Sequence, residues 1–186
     1  MQDRTLSIGG SDAVKLYTYE KWTDLWLEKT KAAEPVDLSD NFKVQLGTYT
    51  EAFNREWFCK KRKAKGKEHV LEHPVLPPFD DWVCNATLSA NLDGYLPEEN
   101  AVVEFKHTFE GNNLVELERV YYPQLQHYMY CMGSHCKHAY LVAIFGNSRQ
   151  TSKKVKRDDS FINEELLPMY KDFWYLVKNK IKPCSG

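Results

Sequence analysis

Between residues 161 and 177 apolar side chains recur every three or four positions: Phe161, Ile162, Leu166, Met169, Tyr170, Phe173, Trp174 and Val177. That is the period of a helix with one stripe turned to a core, and it predicts a C-terminal helix over about 158–181. The same period places helices near 11–30 and 43–63, the second with Phe53, Trp57 and Phe58 on one side and Glu51 near its start. A further helix is expected from Pro123, because proline suits a first turn, to Gly133, which closes it. Gln124 and Tyr128, four apart, share one of its faces. The centre is rich in strand formers, with strands expected at 69–76, 81–92, 101–108 and 138–145. Residues 109–122, with Gly111-Asn112-Asn113, and the stretch after Phe145 read as loops. The order points to a small α/β core in one domain over 1–186: helices in 1–63, a core in 69–146, and the terminal helix.

The chemistry lies in the strands. With a side-chain period of two, Glu104 and Lys106 project from one face of the 101–108 strand while Val103 and Phe105 pack behind. The Gly94 turn and the Pro97-Glu98-Glu99-Asn100 loop fold the preceding strand back, so Asp93 comes alongside Glu104. Two carboxylates that close repel unless a cation neutralises them, and magnesium suits such an oxygen donor set, with the Phe105 carbonyl able to join. Lys106 is then free to orient water or to meet charge on phosphoryl oxygens. An ordinary hairpin with charges on its wet face has the same pattern.

Five motifs in order resemble the PD-(D/E)xK nuclease superfamily and, within it, the YqaJ-type viral recombinases and lambda exonuclease. They are Ile8-Gly9-Gly10-Ser11-Asp12-Ala13 with Trp22 to Thr30, Gly47 with Glu51, Asp93-Gly94, Glu104-Phe105-Lys106, and Gln124-Leu125 with Tyr128. The chain departs from the family in having Asn91-Leu92, not Ser-Pro, before Asp93-Gly94. The resemblance implies a central mixed sheet flanked by helices. It makes Asp93, Glu104 and the Phe105 carbonyl metal ligands, Glu51 a ligand to a second ion or its waters, Lys106 the residue that activates water, and Gln124 a positioner of phosphate or nucleophile, with Tyr128 beside it. Two magnesium ions are implied, manganese able to substitute. Arg4 and Ser11, seven apart, match the family's pair for a 5′-phosphate, and Ser11 can itself cap a helix whose free N–H groups bind an anion. The implied activity is 5′-to-3′ digestion of double-stranded DNA ends in phage-type recombination, with a single-strand annealing partner and a ring-shaped trimer that could use the 161–177 stripe. A structure-specific endonuclease and a non-catalytic DNA-binding module stand as alternatives.

Composition modifies this picture little. At 186 residues and 42% hydrophobic the chain can bury one sizeable core. No run has membrane-spanning length and no export leader is evident, so a soluble, cytoplasmic protein is expected, in the host cell if the source is viral. Cysteines at 59, 84, 131, 136 and 184 suit a reducing compartment. They lack the tight trio of an iron–sulfur site, and Cys131, His135, Cys136 and His138 converge poorly for zinc. Net charge is −1, but Lys60, Lys61, Arg62, Lys63, Lys65 and Lys67 form one basic run and Lys153, Lys154, Lys156 and Arg157 another. Both suit a phosphate backbone, the first most directly.

Overall fold

The break at Leu92-Asp93 divides the strands between two sheets. The computed structural model describes residues 4–34, 36–66 and 72–183. β1 (Val75–Asp81) and β2 (Ala86–Asn91) form an antiparallel pair whose register shifts between Leu76 and Phe79. Pro77 and Pro78, which have no N–H to give the ladder, lie in that shift. β3 (Gly94–Leu96), β4 (Ala101–Thr108), β5 (His138–Phe145) and β6 (Arg149–Lys156) form the larger sheet in that order. β4 runs parallel to β5, and the two outer pairs are antiparallel, so the sheet is mixed. Asn100, at φ 48°, closes the turn from β3 into β4.

Helices cover both faces. α3 (Phe42–Lys63) starts at Asn41, whose side chain accepts from the Val44 N–H, and ends in basic residues that suit the negative end of its dipole. Its inner row is Asn54, Phe58 and Arg62, all buried. Phe58 packs on Phe105 and Tyr140, whereas Phe53 and Trp57 face outward. Five residues turn a helix through about 140°, so Phe53 and Phe58 do not share the side the sequence assigned them. α4 (Leu114–Cys131) crosses the opposite face from β4 to β5, with Leu117, Leu125 and Met129 against Val102, Leu141 and Ala143.

α4 corrects two expectations. It begins at Leu114, where the Asn113 side chain accepts from the Val115 and Glu116 N–H groups, so 114–122 is helix, not loop. Pro123 therefore lies inside the helix and gives up one backbone hydrogen bond there. β6 also replaces an expected loop: it is the sheet edge, and Lys153, Lys154 and Lys156 on it discourage pairing with another edge.

The N-terminal helical region is two helices, α1 (Gly10–Tyr17) and α2 (Trp22–Lys29), separated by a 3-10 turn. At the other end α5 (Asp159–Phe161), a π-helical turn (Ile162–Leu166) and α6 (Leu167–Lys178) run on from one another. Phe161, Ile162, Leu166, Met169, Tyr170, Phe173 and Trp174 are buried with Ile8, Leu16, Leu25, Trp26 and Leu88. That stripe is used as core packing within the chain. No helix among the described residues is long and apolar enough to cross a membrane.

Candidate active site

β4 turns Val103 and Phe105 toward α3 and Glu104 toward α4. Glu104 is 1% exposed, and its Oε1 accepts from Lys106 Nζ and, at 2.8 Å, from Gln124 Nε2. Gln124 Nε2 also donates to the Tyr128 hydroxyl at 2.9 Å. Gln124 and Tyr128 are buried, so Gln124 reaches the site through Glu104 and Tyr128 through Gln124. Asp93, just before β3, accepts from the Phe105 N–H at 3.0 Å through Oδ2, which places it beside Glu104 as the hairpin required. Lys106 Nζ lies 4.6 Å from the centre of the Tyr121 ring. From the α3 side Glu51 faces the same end of β4 and pairs with Arg55 at 2.5 Å.

The electrostatics are those of crowded acids. Burial, and then the nearby Asp93, push the Glu104 carboxyl up to about 7 against the lowering influence of Lys106. Burial and Asp93 also raise Glu51, opposed by Arg55, Lys106 and His73. Burial alone would lower the Lys106 ammonium, but Glu104 and Asp93 more than reverse this and hold it protonated. Glu104 Oε2 is buried with no hydrogen-bond partner among the described residues. An orphaned carboxylate oxygen beside a second acid, Asp93, with Glu51 coupled to Asp93 from α3, fits a hard oxygen-seeking cation. As they stand, no three His, Cys, Asp or Glu side chains among the described residues converge closely enough to hold one. Lys106, the Phe105 N–H and Arg55 occupy an oxygen each on Glu104, Asp93 and Glu51.

The expected phosphate pocket is differently built. Arg4 lies in the opening 3-10 turn, and its side chain is outside the described residues. Gly9, not Ser11, is the N-cap of α1, and Ser11 is its second residue. Asp12 Oδ2 accepts from the Gly9 N–H at 2.9 Å and pairs with Lys29 at 2.7 Å, so a carboxylate already serves this helix start. Gly10 lies against the Tyr128 ring: a Cβ there would come within 2.3 Å of it.

The basic runs divide. Arg62 is buried, pairs with Glu99 and stacks on Phe58 and Tyr140, so it is a packing residue and no free phosphate contact. Lys61 is partly engaged, donating to the Gln150 carbonyl at 2.8 Å, while Lys60 and Lys63 are exposed and Lys67 lies outside the described residues. In the second run Lys153 pairs with Glu118, and Arg157 donates to the Met129 carbonyl and pairs with Asp159. Lys154 and Lys156 are exposed. The Cys131 to His138 residues also go separate ways: Cys131 approaches His127, and His138 lies 3.5 Å from Glu99.

Four neighbours of the site were not foreseen: Arg55, Asn54, His73 and Tyr121. Arg55 stands four residues after Glu51, a legible ion-pair spacing. Asn54 is a polar residue on the inner row of α3, and its Nδ2 donates to the Lys106 carbonyl at 3.0 Å. His73 donates through Nδ1 to the Asp93 carbonyl at 2.6 Å, a long-range contact without local signal.

The model of the YqaJ-like viral recombinase domain matches residues 1–135. The chain is 30% identical over 182 residues to the uncharacterized protein YqaJ of Bacillus subtilis (strain 168), covering 92% of this chain and 53% of that one. It thus spans about half the length of that relative. Among solved structures, it is similar to an alkaline exonuclease from Laribacter hongkongensis, with a TM-score of 0.68 at 15% identity over 96% of this chain and 91% of that one. A phage related exonuclease from Haemophilus somnus 129PT gives a TM-score of 0.58 at 12% identity, over 92% and 84%. The fold, a mixed sheet flanked by helices, is the one these two structures share.

Proposed function

The chain belongs to the YqaJ-like viral recombinase domain family, and from that premise we propose that it is a magnesium-dependent exonuclease acting on double-stranded DNA ends. It degrades the 5′ strand and leaves a 3′ single strand for an annealing partner. The observation that carries the proposal is the buried Glu104 Oε2 that receives no hydrogen bond, beside Asp93 and two residues from a lysine held protonated. The structural likeness to two proteins named as exonucleases supports it through the fold.

Asp93, Glu104 and the Phe105 carbonyl would hold the ion, and Glu51 a second one or its waters. When bound, magnesium supplies a Lewis acid and a water of lowered pKa. Lys106, kept as an ammonium, has no site to take up a proton; it donates, orienting the attacking water and meeting the charge that grows on the phosphoryl oxygens. Gln124 holds Glu104 from behind, Tyr128 holds Gln124, and Asn54 ties down the Lys106 backbone. These buried side chains fix the acid before substrate arrives. The annealing partner and a trimeric ring belong to the same proposal, with any interface lying outside the buried α6 stripe.

Digestion with magnesium of linear duplexes bearing or lacking a 5′-phosphate, beside closed circular duplex, tests it. Loss of linear DNA alone, starting at the phosphorylated strand, is expected. Cutting of the circle would instead identify an endonuclease, and no cutting with magnesium or manganese a binding module.

A further inference from the structure

The outer face of α3 belongs neither to the core nor to the carboxylate cluster. Tyr49, Phe53 and Trp57 succeed one another at four-residue intervals, about 6 Å apart along the axis. They are 81%, 56% and 38% exposed. The Phe53 and Trp57 rings lie 5.9 Å apart with planes 28° from parallel, so they form one continuous aromatic surface. Lys60 places its ammonium 4.8 Å from the centre of the Trp57 ring. Next to this end of the stripe, α3 and the edge strand β6 enclose a cleft of about 390 Å³, with Lys61 and Lys65 on one wall and Thr151 and Ser152 on the other. Its remaining lining includes Phe58 and Tyr140.

We infer that this face is a binding track for single-stranded nucleic acid, with bases on the Tyr49, Phe53 and Trp57 rings and phosphates along Lys60, Lys61 and Lys65. Rings in a row beside lysines combine the two things a single strand offers, unpaired base faces and a charged backbone. A duplex hides its base faces and would draw on the lysines alone. A protein partner would favour a patch poor in lysine at its centre, because lysine is depleted from interface cores. The track lies close to the chemistry: Glu51 sits between Tyr49 and Phe53 in the same two turns of α3, on the side facing β4. The inference rests on the nuclease proposal only for the source of the strand, and binding needs no divalent ion.

The test is fluorescence anisotropy of the whole chain with a labelled oligo(dT) and with a blunt duplex of equal length, in chelator. Paired Phe53→Ser and Trp57→Ser changes, at exposed positions, should weaken oligo(dT) about thirtyfold or more, since stacking contributes about 1–3 kcal/mol per base and two rings are lost. Duplex affinity should stay within about twofold of the unmutated protein. Lys61→Ser with Lys65→Ser should flatten the salt dependence on oligo(dT), lowering the log–log slope by about 1.4. Unchanged oligo(dT) affinity in the aromatic variant, or an equal loss on duplex, would overturn the track. So would sedimentation showing that the aromatic variant breaks up an oligomer while oligo(dT) affinity holds, which would make the face a contact between copies. Strong oligo(dT) binding by a chain that cuts no DNA would overturn the nuclease proposal and leave the track.

Discussion

Among the described residues two lysines pair with a buried carboxylate, and the pairs differ in what is left over. Asp12 and Lys29 are 3% and 5% exposed. Lys29 Nζ donates to Asp12 and to the Ser7 carbonyl, both at 2.7 Å, and the same Asp12 oxygen accepts from the Gly9 N–H. That pair is closed on the backbone around it and ties α2 to the start of α1. Glu104 and Lys106 share an equally buried carboxylate, yet one of its oxygens has no partner among the described residues, and Asp93 lies alongside. A closed pair holds a fold together; an open one keeps a site for something to be bound.

The largest effect should come from opening the closed pair. Lys29→Met leaves a buried, unpaired Asp12 and should cost about 3–5 kcal/mol of stability, read by urea denaturation. Restoring stability with a second change, Asp12→Asn, would sharpen the assignment. Lys106→Ala should lower the digestion rate about 10²- to 10³-fold and cost less stability than Lys29→Met, because Glu104, already raised to about 7, takes up a proton when its cation is lost. If it instead unfolded the chain as Lys29→Met does, the two pairs would not differ in kind. Glu104→Gln removes a crowded buried charge and should keep or slightly raise stability while abolishing digestion, the trade-off expected where function holds strain in place.

The smallest effect is on pH dependence. Glu104 has its carboxyl raised to about 7 in the fold, so the stability it lends as a neutral acid is complete below its unfolded pKa and is lost as pH rises through about 7. Without divalent ions, stability should therefore fall across that window, and Glu104→Gln should remove the fall. His127 acts with opposite sign. Its buried ring bonds the Tyr170 hydroxyl and the Ser89 carbonyl, and burial lowers its pKa. The stability it lends is present above its unfolded pKa of about 6.5 and is lost as pH falls below that. Thermal melts of Glu104→Gln and His127→Asn across pH 5–8 separate the two.

Local pattern made Asp93, Glu104 and Lys106 legible, because a two-residue period and a tight turn fix which side chains meet. The β5 strand was legible for a similar reason: a continuous apolar run from Ala139 to Phe145, bounded by turns, has few other uses. β6 was hidden, since its lysines gave a buried-edge alternation only at Gln150 and Val155. Pro123 misled because its preference for a first turn was stronger than the evidence of the Asn113 cap behind it. The closed Asp12–Lys29 pair and the His73 contact could not be read at all, since each joins residues far apart in the chain through packing that no local period encodes.

The most direct test is calorimetric titration of Mn²⁺ into the unmutated chain and into Glu104→Gln near pH 7.5. Saturable binding is expected, weakened at least tenfold by the substitution, with the fold intact by circular dichroism. Equal binding by both, or none by the unmutated chain in the presence of a DNA end, would contradict it.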